Sequence, residues 1–236
     1  MPGSFGQTDN DDGADASTAS SAKSGIFARN DATSPASGVG GNGVFGLSTV
    51  PDASGVFGAN NNGGIGVAGT SERGVGVLGR GKVAGRFEGD VEVTGDIRLV
   101  NADCAEDFDI TAAEKVEPGT VMIIDDHGAL HPSRQEYDKK VAGVISGAGN
   151  YKPGIVLDRQ QSQGTRVPVA LLGKVYCKVD AQYSPVEVGD LLTTSATPGY
   201  AMKATDPLKA FGSVIGKALR PLAEGRDVIP ILVALQ

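Results

Sequence analysis

Four carboxylates within seven residues are the side chains of this chain best placed to do chemistry. The segment reads Asn-Ala-Asp-Cys-Ala-Glu-Asp-Phe-Asp over 101–109, and its acids are Asp103, Glu106, Asp107 and Asp109. A carboxylate beside a peptide bond can attack that bond or activate a water. Two crowded carboxylates also push their pKa values apart, so that one serves as acid and the other as base. The alternative is a short acidic linker that is simply solvated.

The two cysteines offer little chemistry of their own. Cys104 and Cys177 make neither a disulfide scaffold nor a zinc site, and we expect two separate reduced thiols. Cys104 could act as a thiol nucleophile, but only His127 and His131 are available to activate it. Both histidines lie about one hairpin further along the chain, which disfavours that role.

The two histidines also have the spacing of metal ligands, with two aspartates next to them at 125–126. Gly128 and Pro132 flank them, however, and these residues are typical of a hairpin turn. We therefore expect an exposed turn at His127 and His131. No metal and no cofactor is predicted for the chain.

The elements that must position the acids change in character along the chain. Residues 1–42 are rich in Asp, Ser, Ala and Gly and predict a disordered or weakly ordered tail. Residues 43–100 are glycine-rich and repetitive. Residues 101–236 carry β-branched runs bounded by Gly and Pro, which are typical of a compact β-domain.

The repetitive region contains four apolar beats, each flanked by glycines. The beats are Gly43–Gly46, Gly55–Gly58, Gly66–Gly69 and Gly76–Gly79. One beat cannot bury its apolar residues alone, whereas stacked copies or copies from several chains can. The pattern predicts a β-structured shaft, similar to a β-helix or β-prism and built by three chains. Val91 and Val93, which alternate with polar residues, predict a half-buried strand after it.

The C-terminal region predicts strands, two short helices and an internal duplication. The predicted helices run from Asp109 to Lys115 and from Asp206 to Ala210. Segments 116–121 and 144–147 resemble 186–191 and 214–217 at a displacement of 70 residues, and 167–171 is echoed at 229–233. Two copies of one β-meander, packed as a sandwich or barrel, would explain this similarity. Chance similarity between glycine-punctuated strands is the alternative. The predicted strands are 119–125, 141–145, 166–172, 174–179 and 228–235.

Composition and charge exclude several classes of function. The net charge is −7 without a cluster of lysines or arginines, so we expect no nucleic-acid partner. No apolar run approaches the roughly 20 residues that span a bilayer, so we expect no membrane partner. The start of the sequence is acidic rather than basic and apolar, which predicts synthesis in the cytoplasm without a signal peptide.

At the acidic segment the chain resembles a known family. Asp103-Cys-Ala-Glu106-Asp-Phe108, a Pro-Gly strand, a Val-Ala-Gly-Val-Ile-Ser strand and a terminal β-module resemble the intramolecular-chaperone autoproteolytic domain. That domain ends some tailed-phage fibres and pre-neck appendage proteins, and the resemblance covers roughly 101–236. It implies that the module aligns three chains while the shaft folds. In some members the chain then cuts itself just before the motif.

Carried over by position, Asp103 and Glu106 match the two acidic residues of the family, and the scissile bond is Ala102–Asp103. Cys104 stands where these motifs commonly have an aromatic residue. The resemblance therefore implies at most a single-turnover autoproteolysis rather than an enzyme that acts on other molecules.

We expect an elongated all-β homotrimer with the three regions 1–42, 43–100 and 101–236. The predicted function is that of a structural fibre or appendage protein of a phage tail or injection-type particle, located in the virion or an extracellular particle. Its C-terminal module would act as trimerisation clamp or tip. Besides copies of itself, the partners are a host-surface glycan or other particle proteins. Two alternatives remain: a carbohydrate-binding adhesin that uses surface tyrosines, and, ranked last, a hydrolase on a β-scaffold.

Overall fold

The computed structural model describes residues 17–19, 24, 26–31, 42–110, 116–160 and 164–234. The chain divides into two compact units, Met1–Asp90 and Val91–Gln236. Most of the predicted tail and the greater part of the predicted helix from Asp109 to Lys115 lie outside the described residues. Asp109 itself ends a strand.

The described part of the second unit is nearly all β. Its strands are β1 Asp103–Asp109, β2 Val121–Ile124, β3 Leu130–Pro132, β4 Val141–Ile145, β5 Pro153–Leu157, β6 Arg166–Asp180, β7 Leu191–Thr194, β8 Ala201–Lys203, β9 Val214–Ala218 and β10 Arg226–Ala234. A four-residue helix, α1 Pro207–Ala210, begins after Asp206, whose side chain accepts hydrogen bonds from the amides of Leu208 and Lys209. The predicted helix from Asp206 is thereby confirmed. No helix of the described residues is long and apolar enough to cross a bilayer.

Five strands close into a barrel. Strands β10, β9, β7, β8 and β6 follow one another in the sheet, and β6 pairs back to β10 in antiparallel fashion. The barrel interior holds fully buried Val175, Cys177, Leu192, Ile215 and Ile231. Closure leaves no free strand edge in this part of the sheet. Of the two predicted architectures, sandwich and barrel, the structure has the barrel.

The internal duplication appears in the strand pairing. In the first copy Val121 pairs with Val144, and a bulge follows one residue later between β2 and β4. In the second copy Leu191 pairs with Lys217, and the same bulge follows between β7 and β9. The hairpins β2–β3 and β7–β8 also pair through corresponding residues of their first strands, 122–124 and 192–194, although the second hairpin is one residue longer. Chance similarity does not produce the same bulge at the same place in both copies.

The displacement between the copies is not constant, which corrects one detail of the prediction. Val121 corresponds to Leu191, 70 residues later, as the sequence indicates. By its pairing, however, Val214 corresponds to Val141 rather than to Val144. The second copy has a longer connection between its last two strands, because that connection contains α1.

Strand β6 serves both copies. Its first half pairs with β1 and β4, whereas its second half pairs with β10 and β8. Gly173 lies between the halves with φ of 107°, a conformation that other residues adopt at a cost. A Cβ at this position would lie 2.6 Å from the carbonyl oxygen of Ala102, so glycine also allows β1 to approach closely. The predicted strands 166–172 and 174–179 are therefore one strand.

A buried carboxylate ties the end of β6 to β10. Asp180 is fully buried, and its carboxylate accepts hydrogen bonds from Thr197 Oγ1 at 2.6 Å and Arg226 Nε at 2.7 Å. Burial acts to raise the pKa of Asp180, but the hydrogen bonds from Thr197, the Gln182 amide and Arg226 outweigh it and lower the pKa. The network holds the closing strands of the barrel together.

Asp180→Ala is expected to destabilise the barrel by about 3 kcal/mol, because it leaves a guanidinium and a hydroxyl without their buried partner. Asp227→Ala is the matched control. It removes a neighbouring aspartate whose pairing with Arg220 is about half exposed, and it should cost under about 1 kcal/mol. Urea unfolding of both variants measures the difference. Equal losses would mean that the Asp180 network contributes nothing special to closure.

In the first unit no residue from 42 to 90 forms a strand. All thirteen Val, Leu, Ile and Phe side chains of this segment are 65–82% exposed. Successive beats nevertheless lie close together, with the backbone of one beat next to a glycine of the other. A Cβ at Gly58 would lie 2.7 Å from the carbonyl oxygen of Gly66, and a Cβ at Gly69 would lie 2.7 Å from that of Gly76. The close backbone approach that the repeat predicts is present, but its β-ladder is not.

The strand predicted around Val91 and Val93 is also absent, and that prediction is wrong for the single chain. The two side chains are 60% and 48% exposed in irregular backbone. A strand needs a hydrogen-bonded neighbour, and the chain supplies none in this segment.

Candidate functional site

The acidic segment is a strand and not a solvated linker. Asp103–Asp109 forms β1, which runs between β5 on one side and the first half of β6 on the other. Side chains alternate along a strand, and those of Asp103, Ala105 and Asp107 are buried, whereas those of Cys104 and Glu106 are half-buried. The expectation that these acids are simply solvated is therefore wrong for two of the four.

Arginines pair with the last two acids of the segment. Asp107 Oδ2 lies 3.4 Å from Arg159 Nε, and Asp109 Oδ1 lies 3.5 Å from Arg166 Nε. Arg166 also donates to the backbone oxygen of Asp107 at 2.6 Å. These contacts fix β1 to the strand beside it and to the loop after β5. They leave Asp103 and Glu106 as the acids without such partners among the described residues.

Asp103 is buried without a hydrogen-bond partner. It is 5% exposed, and neither of its carboxylate oxygens, nor Ser146 Oγ beside it, makes a hydrogen bond with a described residue. Burial raises the pKa of Asp103, because it disfavours the charged form. The Ser146 hydroxyl and the amide N–H of Asp103 itself act in the opposite direction; they are close but not aligned for hydrogen bonds. The carboxyl thus stands beside its own backbone nitrogen, and its burial makes it bind a proton more tightly than an exposed carboxyl does.

Glu106 lies on the opposite face of β1. An offset of three residues reverses the side-chain direction along a strand and separates the two Cα atoms by about 10 Å. The cross-strand neighbours of Glu106 are Leu157 on β5 and Val169 on β6. Within the described residues Glu106 forms no ion pair. A single chain therefore does not bring Asp103 and Glu106 together.

Backbone hydrogen bonds hold Ala102 through both its amide and its carbonyl. The amide of Ala102 donates to the carbonyl of Lys152 at 3.0 Å, and the carbonyl of Ala102 accepts from the amide of Lys174 at 3.3 Å. A donor on the carbonyl oxygen draws electron density from the carbonyl carbon and stabilises negative charge on that oxygen. The same geometry would favour attack on this carbonyl.

A pocket of about 460 Å³ opens on this peptide bond. It is lined by 99–102, 150–152 and Lys174, and its charged side chains are Lys152 and Lys174. Lys174 Nζ lies 5.3 Å from the ring centre of Tyr151, and Lys152 donates to the carbonyl of Gly147. Neither lysine has an acidic partner among the described residues, so the pocket is locally positive on an acidic chain. No pattern in the sequence indicates this pocket, because its three segments meet only in the folded domain.

The cysteines and histidines take no part in this site. Cys104 and Cys177 are free thiols, and burial raises the pKa of Cys177. His127 lies in the exposed turn of the β2–β3 hairpin, as predicted. His131 lies in strand β3 and is half-buried, so the predicted exposed turn is wrong for this residue. In the turn the Asp125 side chain accepts from the amides of His127 and Ala129. In the described part of the chain no three His, Cys, Asp or Glu side chains are grouped so as to hold a metal ion.

The tyrosines that a glycan-binding surface would require are mostly apart. Tyr151 and Tyr176 make the one ring contact among the described residues, with centroids 5.1 Å apart. Lys174 and Tyr176 both lie against the ring of Tyr151, which leaves it little free face for a sugar. The described surface therefore does not favour the adhesin interpretation.

Asp103→Asn is expected to stabilise the second unit at neutral pH, because burial penalises the ionised carboxylate that the uncharged amide replaces. A raised folded-state pKa means that the folded chain holds this proton more tightly than the unfolded chain. The stability contributed by Asp103 is therefore complete below about pH 4, the pKa region of the unfolded chain, and is lost as the pH rises through the folded pKa.

Urea unfolding of the wild type and of the variant from pH 4 to pH 8 measures this effect. The advantage of the asparagine variant should grow with pH. Asp96→Asn, at an exposed position, is the control and should show no such trend. A constant difference across the range would contradict burial of an ionisable Asp103.

The fold and the site define a nearly all-β protein with a closed five-stranded barrel and a peptide bond flanked by a buried carboxyl and a lysine-lined pocket. No protein-family profile matches the sequence, and no curated protein matches it.

Similar solved structures come from bacteriophage phi29. The pre-mature gene product 12 is 17% identical with a TM-score of 0.41, over 65% of this chain and 24% of that one. The C-terminal fragment of gene product 12 is 15% identical with a TM-score of 0.38, over 56% of this chain and 100% of that one. The N base of head fiber gp8.5 is 22% identical with a TM-score of 0.29, over 54% and 92%. The chain thus spans about a quarter of gene product 12.

Proposed function

We propose that this chain is a structural fibre or appendage protein of a phage tail or injection-type particle, assembled as a homotrimer. The observation that carries the proposal is the row of exposed apolar side chains in residues 42–90. Every Val, Leu, Ile and Phe side chain of this segment is 65–82% exposed. Burying one such side chain stabilises by about 1.5–3 kcal/mol, so thirteen represent roughly 20–40 kcal/mol that a single chain forgoes.

Copies of the same segment are the partners that fit this row of exposed side chains. At about 60–120 Å² for each side chain, the thirteen provide roughly 800–1,500 Å² of apolar surface, the scale of one partner's share of a stable interface. The beats recur at nearly constant spacing, so parallel copies present matching rows. Three extended chains around one axis would supply the missing strand neighbours, and glycines suit the crowded contacts between beats. In this arrangement residues 101–236 serve as the clamp or tip, and the protein belongs to a virion or similar particle.

Native mass spectrometry tests this proposal directly. For the Asp103→Asn variant, which is expected to stay uncut, the expected species has three times the 24.0 kDa mass of the chain. A stable, folded species at the single-chain mass would overturn the trimeric fibre. It would mean that a single chain stays in solution although the apolar side chains of residues 42–90 are exposed.

Self-cleavage between Ala102 and Asp103 is the second part of the proposal. Water adds to the carbonyl carbon of Ala102, the C–N bond breaks, and the amine of Asp103 and the carboxylate of Ala102 are the products. The carboxyl of Asp103, buried beside its own nitrogen and with its pKa raised by burial, is suited to give that leaving nitrogen a proton. The Lys174 amide, 3.3 Å from the Ala102 oxygen, is suited to stabilise the charge that develops there. Glu106 is the remaining acid and would serve as the base.

A further inference from the structure

We propose that the exposed ring of Phe211 in one copy of this chain enters an apolar pocket on the barrel wall of the next copy. The contact depends on the proposed homotrimer and is the surface through which residues 101–236 hold the copies together. The ring, with its short loop, is the Phe211 knob. The barrel-wall pocket is a hollow in the outer face of β7, β9 and β10.

The connection between β8 and β9 presents large apolar side chains to solvent on a rigid frame. Leu208 is 92% exposed and Phe211 is 86% exposed. Ala210 and Ser213, which flank the ring in the sequence, are buried. The amide of Ser213 donates to the carbonyl of Ala210 at 2.9 Å, and Thr193 Oγ1 donates to the carbonyl of Ser213 at 2.9 Å. A ring that is fixed before binding loses little conformational freedom when a partner covers it.

The first copy of the meander shows that the exposed apolar residues are not needed for the fold. It joins β3 to β4 through residues 133–140, which contain no Leu, Val, Ile or Phe. The second copy has α1 and both exposed side chains in the corresponding connection. Tyr137 of the first copy supports this connection, because its Oη accepts hydrogen bonds from the amides of Thr205 and Asp206 at 2.9 and 3.0 Å. Exposed apolar residues that are held in place in this way indicate a binding surface.

The barrel-wall pocket has the size and the chemistry to hold a phenyl ring. Its volume is about 210 Å³, and a cavity of roughly 150 Å³ can hold benzene. Most of its wall is apolar, and its one charged side chain, that of Lys217, forms no ion pair within the described residues. An ammonium group is attracted to the face of an aromatic ring, which favours phenylalanine over leucine as the occupant. The pocket is lined by Leu191, Val214, Gly216, Lys217, Leu232 and Ala234.

A second copy of this chain is the occupant that fits both features. The ring of Phe211 does not line the pocket of its own chain, although Val214 in the pocket wall is only three residues further along. The buried residues on either side of the ring hold it outside. Each copy carries one knob and one pocket at different places, so the contact is heterologous and can close into a ring of identical subunits. A ring of three is the symmetry of the proposed trimer.

Disulfide trapping tests the contact in the full-length chain. The parent carries Asp103→Asn, which keeps the chain whole, and Cys104→Ser, which removes the half-buried native thiol. With Phe211→Cys and Leu232→Cys added, air oxidation is expected to give bands at two and three times the chain mass on a non-reducing denaturing gel. The bands should disappear on reduction.

Phe211→Cys combined with Val188→Cys is the matched control for the trapping experiment. Val188 is 63% exposed but does not line the pocket. This pair should stay at the single-chain mass. Multi-chain bands of equal intensity from the control pair would overturn the assignment of the pocket as the place that receives the knob.

Charge reversal in the pocket gives a second measurement. Phe211→Lys brings a second ammonium group to Lys217 and is expected to reduce trimer in native mass spectrometry about tenfold or more, since every trimer contains three such contacts. Added Lys217→Glu should restore the trimer, because the two charges are then opposite. Val188→Lys, outside the pocket, should leave the amount of trimer unchanged. Undiminished trimer in Phe211→Lys would contradict the contact.

The outcomes separate this contact from the homotrimer itself. Trimer in native mass spectrometry without multi-chain disulfides in the Phe211–Leu232 pair would overturn the contact and leave the homotrimer standing. A parent that is a single chain in native mass spectrometry would overturn the homotrimer. The cysteine pair in concentrated protein then decides the contact alone: multi-chain bands would support it, and bands only at the single-chain mass would overturn it.

Discussion

Purified wild-type protein, incubated at neutral pH, is expected to split into fragments 1–102 and 103–236, and Asp103→Asn is expected to abolish the split. The asparagine cannot give a proton to the leaving nitrogen, and loss of a general acid typically slows a reaction by about 100- to 10,000-fold. Denaturing gels over several days, with mass spectrometry of the fragments, measure both the rate and the position of the cut.

Asp109→Asn is the matched control for this experiment. Asp109 belongs to the same strand, but it is exposed and lies 3.5 Å from Arg166 Nε, away from the scissile bond. Its variant should be cut at the wild-type rate. If wild type remains intact, or if fragments begin elsewhere than at Asp103, the assignment of this site is wrong. If Asp103→Asn is cut normally, Asp103 is not the acid.

Gly69→Ala is expected to prevent assembly of the shaft. The added Cβ would lie 2.7 Å from the carbonyl oxygen of Gly76 and 2.5 Å from Val77 Cγ2, so the beats must move apart. Overpacking of this kind costs about 1–3 kcal/mol, and because every copy carries the change, the cost reaches about 3–9 kcal/mol for a trimer. We expect native mass spectrometry to show mainly monomer, and thermal unfolding to lose any transition that belongs to the shaft.

Gly95→Ala serves as the control for the glycine experiment. An added Cβ there meets nothing within 4 Å, and its backbone is not in the left-handed region. The substitution should change stability by less than about 0.5 kcal/mol. Trimer formation by Gly69→Ala at wild-type levels would contradict the close packing of the beats.

Several strands of the C-terminal domain could be predicted from the sequence because they are apolar, β-branched and bounded by Gly or Pro. Strands β2 Val121–Ile124, β4 Val141–Ile145 and β10 Arg226–Ala234 all fall where runs of Val and Ile stand. The helix that begins after Asp206 was equally visible, from an aspartate that caps and a proline at the first helical position.

Strand β1 could not be predicted, because four of its seven residues are acidic and its own preference is not for a sheet. Its neighbours decide its conformation. Strands β5 and β6 hydrogen-bond to it on both sides, while Arg159 and Arg166 pair with two of its carboxylates. Contacts from residues 50 to 70 positions away in the sequence thus override local composition.

Residue type and spacing along the chain are enough to predict which residues are available for chemistry, where the apolar beats recur, and that one β-meander occurs twice. The folded domain is needed to see that Asp103 is buried, that Glu106 faces away from it, and that two distant lysines meet beside Ala102. Strand pairing, not proximity in sequence, fixes the direction and the surroundings of each side chain.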